Sequence, residues 1–118
     1  AIRIPSGSPA ARRIEHRVAG GDVNPYLSLA AILGAALNGI EDGIEPPEPV
    51  NGNSRAQEME HMPTDWQTAI DRFEASPEMP RIFSKELIRN FVLTKKQELF
   101  YMAELSPTEQ VEIYLDTV

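Results

Sequence analysis

Ala11-Arg12-Arg13-Ile14-Glu15-His16-Arg17-Val18 is the stretch on which the fold turns. Alternation along a strand puts Arg13, Glu15 and Arg17 on one face and Ile14, His16 and Val18 on the other. One face then suits a core. The other lines a polar cleft in which two guanidiniums flank one carboxylate, an arrangement that suits anions. Arg12 has the opposite parity from Arg13, which makes it a solvent or interface residue outside the cleft. Just upstream, Arg3-Ile4-Pro5 forms a second strand candidate, and Ser6-Gly7-Ser8-Pro9 between the two runs can turn the chain back on itself. The expectation is an antiparallel hairpin on which Arg3, Arg13 and Arg17 converge.

Charge separates this end from the rest. Residues 1–17 carry Arg3, Arg12, Arg13 and Arg17 against Glu15 alone, a net of +3, while the remaining 7 basic and 17 acidic residues give −10. An acidic body argues against broad binding to nucleic acid or to an anionic membrane, both of which rest on extended basic surface. The arginines form a local site instead. At 118 residues and 42% hydrophobic content the chain has the length and composition of one globular domain. It has no cysteine, hence no disulfide framework, thiolate nucleophile or cysteine-based zinc site. The N-terminus shows no basic-then-apolar leader. The longest apolar run, from Tyr26 to Ile40, is broken by Ser28, Gly34, Asn38 and Gly39 and falls short of the ~20 residues that span a bilayer. A cytoplasmic protein is expected. The chain opens on Ala1 directly in a strand candidate, and two short strands make no stable sheet by themselves, so a segment upstream is expected to be missing.

Beyond the hairpin the pattern turns helical. Asn24 followed by Pro25 is an N-cap with proline at the first helical position, and the Ala- and Leu-dense run predicts a helix to about Leu37, ended by Asn38-Gly39 or by Gly43. Its small residues Ala30, Ala31, Gly34, Ala35 and Ala36 let another backbone approach closely, which suits a buried central helix. Residues 45–63, rich in proline, glycine and charge, read as an extended connection. Thr64-Asp65-Trp66-Gln67 has the form of a capping box with Thr64 as the cap. The helix that follows puts Trp66, Ile70 and Phe73 on one face and runs to about Ala75. Ser84 caps a longer helix whose stripe is Leu87, Ile88, Phe91, Val92, Leu99 and Met102. Ser106-Pro107-Thr108-Glu109 is a second capping box, opening a last helix through Val111, Tyr114 and Leu115. The four methionines form no stripe and are expected in the core, with Trp66 and Phe73. No internal repeat or low-complexity tract is present.

Taken together, Arg3-Ile4-Pro5, Ala11-Arg12-Arg13-Ile14-Glu15-His16-Arg17 and Asn24-Pro25-Tyr26-Leu27 with the Ala-rich helix behind it resemble the C-terminal part of the glutamine synthetase catalytic domain. Order and spacing agree, and the resemblance runs through Gly39-Ile40, the proline-rich connection and the Trp66 helix to the C-terminus. It implies an α+β fold class. On that basis the chain is a mainly helical fragment of about four helices beside one antiparallel β-hairpin, with residues 1–23 as active-site strands and 24–118 as the helical part. The N-terminal domain and most of the catalytic barrel, with its other metal-binding carboxylates, would precede residue 1.

The resemblance implies ATP-dependent formation of a γ-glutamyl amide from glutamate and ammonia or an amine. By the family's motif, Arg3 and Arg13 match arginines on the transferring phosphate of ATP, where a planar, always-charged fork follows charge as it builds on phosphoryl oxygens. Glu15 matches a carboxylate ligand of an active-site divalent cation, Mg²⁺ or Mn²⁺. Arg17 matches the arginine that holds a substrate glutamate carboxylate. Without the resemblance, Glu15 between arginines is better explained as a structural ion pair. Parity turns His16 away from the arginine face. His61, beside Glu58 and Glu60, lies in the connection, and neither histidine is assigned a role. Asn24-Pro25-Tyr26-Leu27 is treated as structural.

Many bacterial ammonia-using members carry a tyrosine for adenylylation in the connection, but residues 45–63 contain none, so that control is not carried over. Glu15-His16-Arg17-Val18-Ala19-Gly20-Gly21-Asp22 looks more like the branch that includes γ-glutamylpolyamine synthetases. The family implies a homo-oligomeric ring with active sites between subunits. The isolated fragment is expected to be inactive. A non-catalytic helical binding module that kept the family sequence is the alternative of another class.

Overall fold

Asn24 sets the first helix as its sequence predicts. Its Oδ1 accepts hydrogen bonds from the backbone N–H groups of Tyr26 and Leu27, both at 3.1 Å, and Pro25 fills the first helical position, where a missing N–H costs nothing. In this computed structural model, which describes residues 2–50, 52 and 61–117 with side chains through Leu115, helix α1 spans Pro25–Glu41. It passes through Asn38-Gly39 and stops at Gly43. There the Ile44 N–H reaches the Gly39 carbonyl at 2.9 Å and the Gly43 N–H reaches Ile40 at 3.2 Å. This paired closure needs a left-handed residue, and Gly43 supplies it with φ +62°.

Helix α2 spans Trp66–Ala75, but its cap is Asp65 and not Thr64. The Asp65 carboxylate accepts both the Thr68 N–H at 2.8 Å and the Thr68 hydroxyl at 2.7 Å, two bonds where a Thr64 hydroxyl offers one. Gln67, expected to reach back to the cap, donates forward to Asp71 at 2.8 Å. A single turn, α3 (Met79–Ile82), precedes α4 (Lys85–Ala103), whose cap Ser84 accepts from the Leu87 N–H at 3.1 Å. The last helix, α5 (Pro107–Thr117), opens on a reciprocal capping box. Glu109 accepts from the Ser106 N–H at 2.8 Å while Ser106 Oγ accepts from the Glu109 N–H at 3.4 Å. Gln110 closes the end of α4 by donating to the carbonyls of Met102 and Leu105.

The hairpin is present. Strand β1 (Ile2–Arg3) pairs antiparallel with β2 (Glu15–His16) in the register Ile2 to His16 and Arg3 to Glu15, and a 3₁₀ turn at Pro9–Ala11 lies in the connection. The architecture is therefore α+β and mainly helical, with the one-turn α3 added to the four helices expected. Residues 44–50 and 61–63 carry no regular element, and the rest of the 45–63 connection, apart from Gly52, lies outside the described residues, Met59 included.

Packing has two centres. Ile70 of α2 and Ile88 and Val92 of α4 are buried together, with Trp66, Phe73, Met79, Phe83 and Leu99 packed around them. The Phe73 and Phe91 rings meet in a tilted pair 5.2 Å apart. The second centre joins α1 to α3, where Gly34 lies so close to Ile82 that an added Cβ would stand 2.6 Å from its Cγ2. Polar ties finish this joint. Asn38, buried on α1, donates to Glu78 at 3.1 Å, and Arg81 grips Asp42 through both terminal nitrogens at 2.6 and 3.0 Å.

Two expectations about burial need correction. Met102 is buried, but Met62 is 64% exposed. More consequentially, α1 is not enclosed by the described residues. Only its Gly34–Asn38 side meets α3, and Tyr26, Leu29, Leu33, Leu37 and Ile40 all face outward. The radius of gyration, 17.2 Å, exceeds the ~13–14 Å of a compact chain of this length.

Candidate functional site

The hairpin register places Arg3 directly across from Glu15, and Arg13 and Arg17, which flank the two-residue strand β2, reach the same carboxylate. All three arginines close on the one carboxylate. Arg3 Nη1 donates to Glu15 Oε2 at 3.2 Å, Arg13 Nη2 to Oε1 at 2.9 Å, and Arg17 to Oε2 through Nη2 at 2.9 Å and Nε at 3.3 Å. Arg13 also donates from Nη1 to the Ala11 carbonyl at 3.4 Å, which ties the guanidinium to the turn leading into β2. The four residues singled out from the sequence as site residues, Arg3, Arg13, Glu15 and Arg17, are thus brought together. His16 pairs with Ile2, and Arg12 makes the turn's closing backbone bond through its N–H, 3.3 Å from the Pro9 carbonyl.

The electrostatics follow from that geometry. Glu15 is the screened member, its side chain 21% exposed, while the arginine side chains stay more than half exposed. The hydrogen bond from Arg17 does most to hold the Glu15 carboxyl below its ordinary range, with Arg13 and Arg3 adding to it and partial burial opposing them. Ionised, the cluster carries a net charge of +2. Each guanidinium has five N–H donors, more than Glu15 takes up, in a planar fork that matches phosphate or carboxylate oxygens. The arrangement can receive a polyanion on a solvent-facing surface.

A divalent cation is a different matter. Among the described residues no group of three or more potential ligands comes together, and both oxygens of Glu15 already accept from guanidiniums. These residues fit an anion and do not by themselves fit a metal ion. Among the described residues His61 joins no such group either. Its carbonyl accepts from Arg72 at 3.3 Å, and its neighbours Glu58 and Glu60 lie outside the described residues.

One polar network was not foreseen. Tyr114 of α5 donates to Glu98 of α4 at 2.7 Å, and Lys95 pairs with the other oxygen of Glu98 at 2.7 Å. Burial first, and then Glu98 and Asp22, push the Tyr114 hydroxyl up to about 12. Lys95 and Glu98 stand at (i, i+3), a spacing visible in sequence, but nothing local pointed to Tyr114. The neighbouring cleft of about 240 Å³ between α2 and α4 is lined by the rings of Trp66, Phe73 and Phe91 and is almost wholly apolar. The network acts as a tie between helices.

Comparison with known proteins decides the family. The model of the glutamine synthetase catalytic domain matches residues 1–114, nearly the whole chain. The chain belongs to the glutamine synthetase family. It is 37% identical to a gamma-glutamylethanolamide synthetase of Streptomyces coelicolor over 99 residues, which cover 84% of this chain and 21% of that protein. It is 32% identical to the gamma-glutamylputrescine synthetase of Escherichia coli, over 95% of this chain and 24% of that one. Glutamine synthetase of Aquifex aeolicus is 34% identical, over 98% of this chain and 27% of its own length. The chain therefore spans about a quarter of the length of these curated relatives. No solved structure matches it significantly. None of the described helices is long and apolar enough to cross a membrane.

Proposed function

We propose that these 118 residues are the C-terminal part of the catalytic domain of an ATP-dependent ligase that joins glutamate to ammonia or to an amine. The observation that carries this is the convergence of Arg3, Arg13 and Arg17 on the Glu15 carboxylate, within a chain of the glutamine synthetase family. In the reaction a glutamate side-chain carboxylate oxygen attacks the γ-phosphorus of ATP and ADP leaves. The amine nitrogen then attacks the acyl-phosphate carbon, phosphate departs, and the nitrogen loses a proton to give the γ-glutamyl amide. Negative charge gathers at each step, and guanidiniums held in place before it arrives stabilise it without reorganising.

Within this scheme Arg3 and Arg13 hold the transferring phosphoryl group and Arg17 holds a carboxylate of glutamate in a bidentate grip. Glu15 has two duties. It orders the three guanidiniums, and it would supply one oxygen ligand to a Mg²⁺ or Mn²⁺ ion whose remaining ligands come from elsewhere in the parent enzyme, since among the described residues no group of three or more potential ligands comes together. The 118 residues alone are inactive on this view. The parent enzyme is a cytoplasmic homo-oligomer of ring type that acts without nucleic acid or membrane. The amine is ammonia or, as the names of two of the relatives above suggest, a larger primary amine such as a polyamine.

Phosphate release by the full-length parent with Mg-ATP and glutamate tests this, comparing ammonia, putrescine and ethanolamine. Release that depends on an amine supports the ligase and names its acceptor. Arg17→Ala should raise the KM for glutamate much more than that for ATP. Absence of release with every amine would leave the binding module as the better account.

A further inference from the structure

Glu15 stands where an incoming anion has to go. Arg17 turns one whole edge of its guanidinium, Nε and Nη2, onto Glu15 Oε2 at 3.3 and 2.9 Å. Both terminal nitrogens of Arg13 are engaged as well, Nη2 with Glu15 Oε1 at 2.9 Å and Nη1 with the Ala11 carbonyl at 3.4 Å. Those edges are the planar forks that grip a phosphoryl group or a carboxylate. With Arg3 included, four N–H donors fall on the two oxygens of Glu15, and an ionised carboxylate has about four acceptor positions. It is full. A cation that takes one of its oxygens has to displace a guanidinium, so Glu15 cannot serve a divalent cation and keep its whole grip on the arginines.

We infer that Glu15 is an exchangeable counter-ion, an internal competitor that occupies the anion-binding edges of Arg13 and Arg17 and is drawn off them when phosphate or carboxylate binds. A divalent cation on Glu15 would help to draw it off. Cation and anion then favour one another through this one side chain, by the same factor in both directions. The cation half of the inference rests on the reading of Glu15 as a cation ligand under the proposed function. Two features make the exchange easy. The arginine side chains are more than half exposed, and exposed ion pairs are individually weak. All three pairs also end on one carboxylate, so rotation of the Glu15 side chain alone releases every arginine and leaves the backbone pairing of Arg3 with Glu15 in place. A carboxylate that merely orders the guanidiniums predicts the opposite sign, since its loss would let them scatter and weaken anion binding.

Calorimetric binding of inorganic phosphate to the full-length protein, without ATP, glutamate or amine, separates the two. With divalent cations stripped on a chelating resin, Glu15→Gln should bind phosphate about tenfold more tightly than the wild type, the effect of deleting a competing charge a few ångströms from the anion. Asp22→Asn removes the same charge from the loop beyond Arg17, outside the cluster, and should change the affinity by less than about twofold. Saturating Mg²⁺ should tighten phosphate binding to the wild type, and that gain should shrink in Glu15→Gln. Weaker or equal binding by Glu15→Gln would overturn the inference, as would an equal effect of Asp22→Asn, which would reduce it to net charge. Wild-type affinity indifferent to Mg²⁺ would overturn it too, whatever the folding of the variants. Because binding and not turnover is read, a parent protein that shows the exchange yet forms no γ-glutamyl amide would sink the ligase proposal and leave this one standing.

Discussion

At the scale of single residues, Glu15 governs the candidate site, because all three arginines donate to its two oxygens. Its lowered pKa fixes the direction of the pH response. A carboxylate whose folded pKa lies below its unfolded value contributes stability above the unfolded value, ~4.3 for glutamate, and loses that contribution as pH falls through the folded pKa. The arginine cluster should therefore hold at neutral pH and open only in acid, read as the carboxyl carbon shift of Glu15 in an NMR titration. Arg17→Ala should move that titration upward more than Arg3→Ala does, since the Arg17 hydrogen bond is the largest influence on Glu15. Equal shifts would mean that the two contacts count alike. This cluster was legible in sequence because alternation along extended chain is a local rule that brings Arg13 and Arg17 to the side of Glu15, although the strand itself spans only Glu15–His16. What parity did not show is that Arg3 sits straight across from Glu15, which depends on how the 3₁₀ turn at Pro9–Ala11 sets the register.

At the scale of elements, the helix caps were readable where one residue type dominates, as at Asn24, Ser84 and Ser106. At Thr64-Asp65 two cap formers compete, and the sequence motif favoured the wrong one, because the carboxylate of Asp65 can take two donors from Thr68. The end of α1 offered two glycine stops, and only the geometry shows that Gly43 carries the left-handed turn. Gly43→Ala should cost ~1–2 kcal/mol, the penalty of forcing a side chain into that conformation. Gly39→Ala, inside the helix with open space around its Cβ, should stabilise by up to ~1 kcal/mol. Urea denaturation of the two variants checks the opposite signs. Ser84→Ala should cost ~1 kcal/mol through the lost bond to the Leu87 N–H.

At the scale of the molecule, the two packing centres have different physical character and can be separated by experiment. The α2–α4 core is apolar and contains Trp66, the only tryptophan, so its unfolding can be followed by fluorescence. The α1–α3 joint relies on close backbone approach and on polar ties, Asn38 to Glu78 and Arg81 to Asp42. Periodicity revealed the first, because apolar spacing is written along each helix. It was silent on the second, whose partners lie about forty residues apart, and on α3 itself, too short to show a period. Gly34→Ala would set a methyl carbon 2.6 and 2.8 Å from the Ile82 γ carbons and 3.2 Å from its Cβ. Rotating Ile82 cannot relieve the contact at Cβ, so the backbones must part. Amide exchange along α1 and at Arg81 and Ile82 should then quicken while the Trp66 transition barely moves. Ile70→Ala should do the reverse, lowering the Trp66 midpoint by the ~2–5 kcal/mol of a truncated buried isoleucine. If Gly34→Ala shifted the Trp66 transition as far as Ile70→Ala does, the helices would form a single cooperative unit, and the α1 joint would be part of the core that holds α2 against α4.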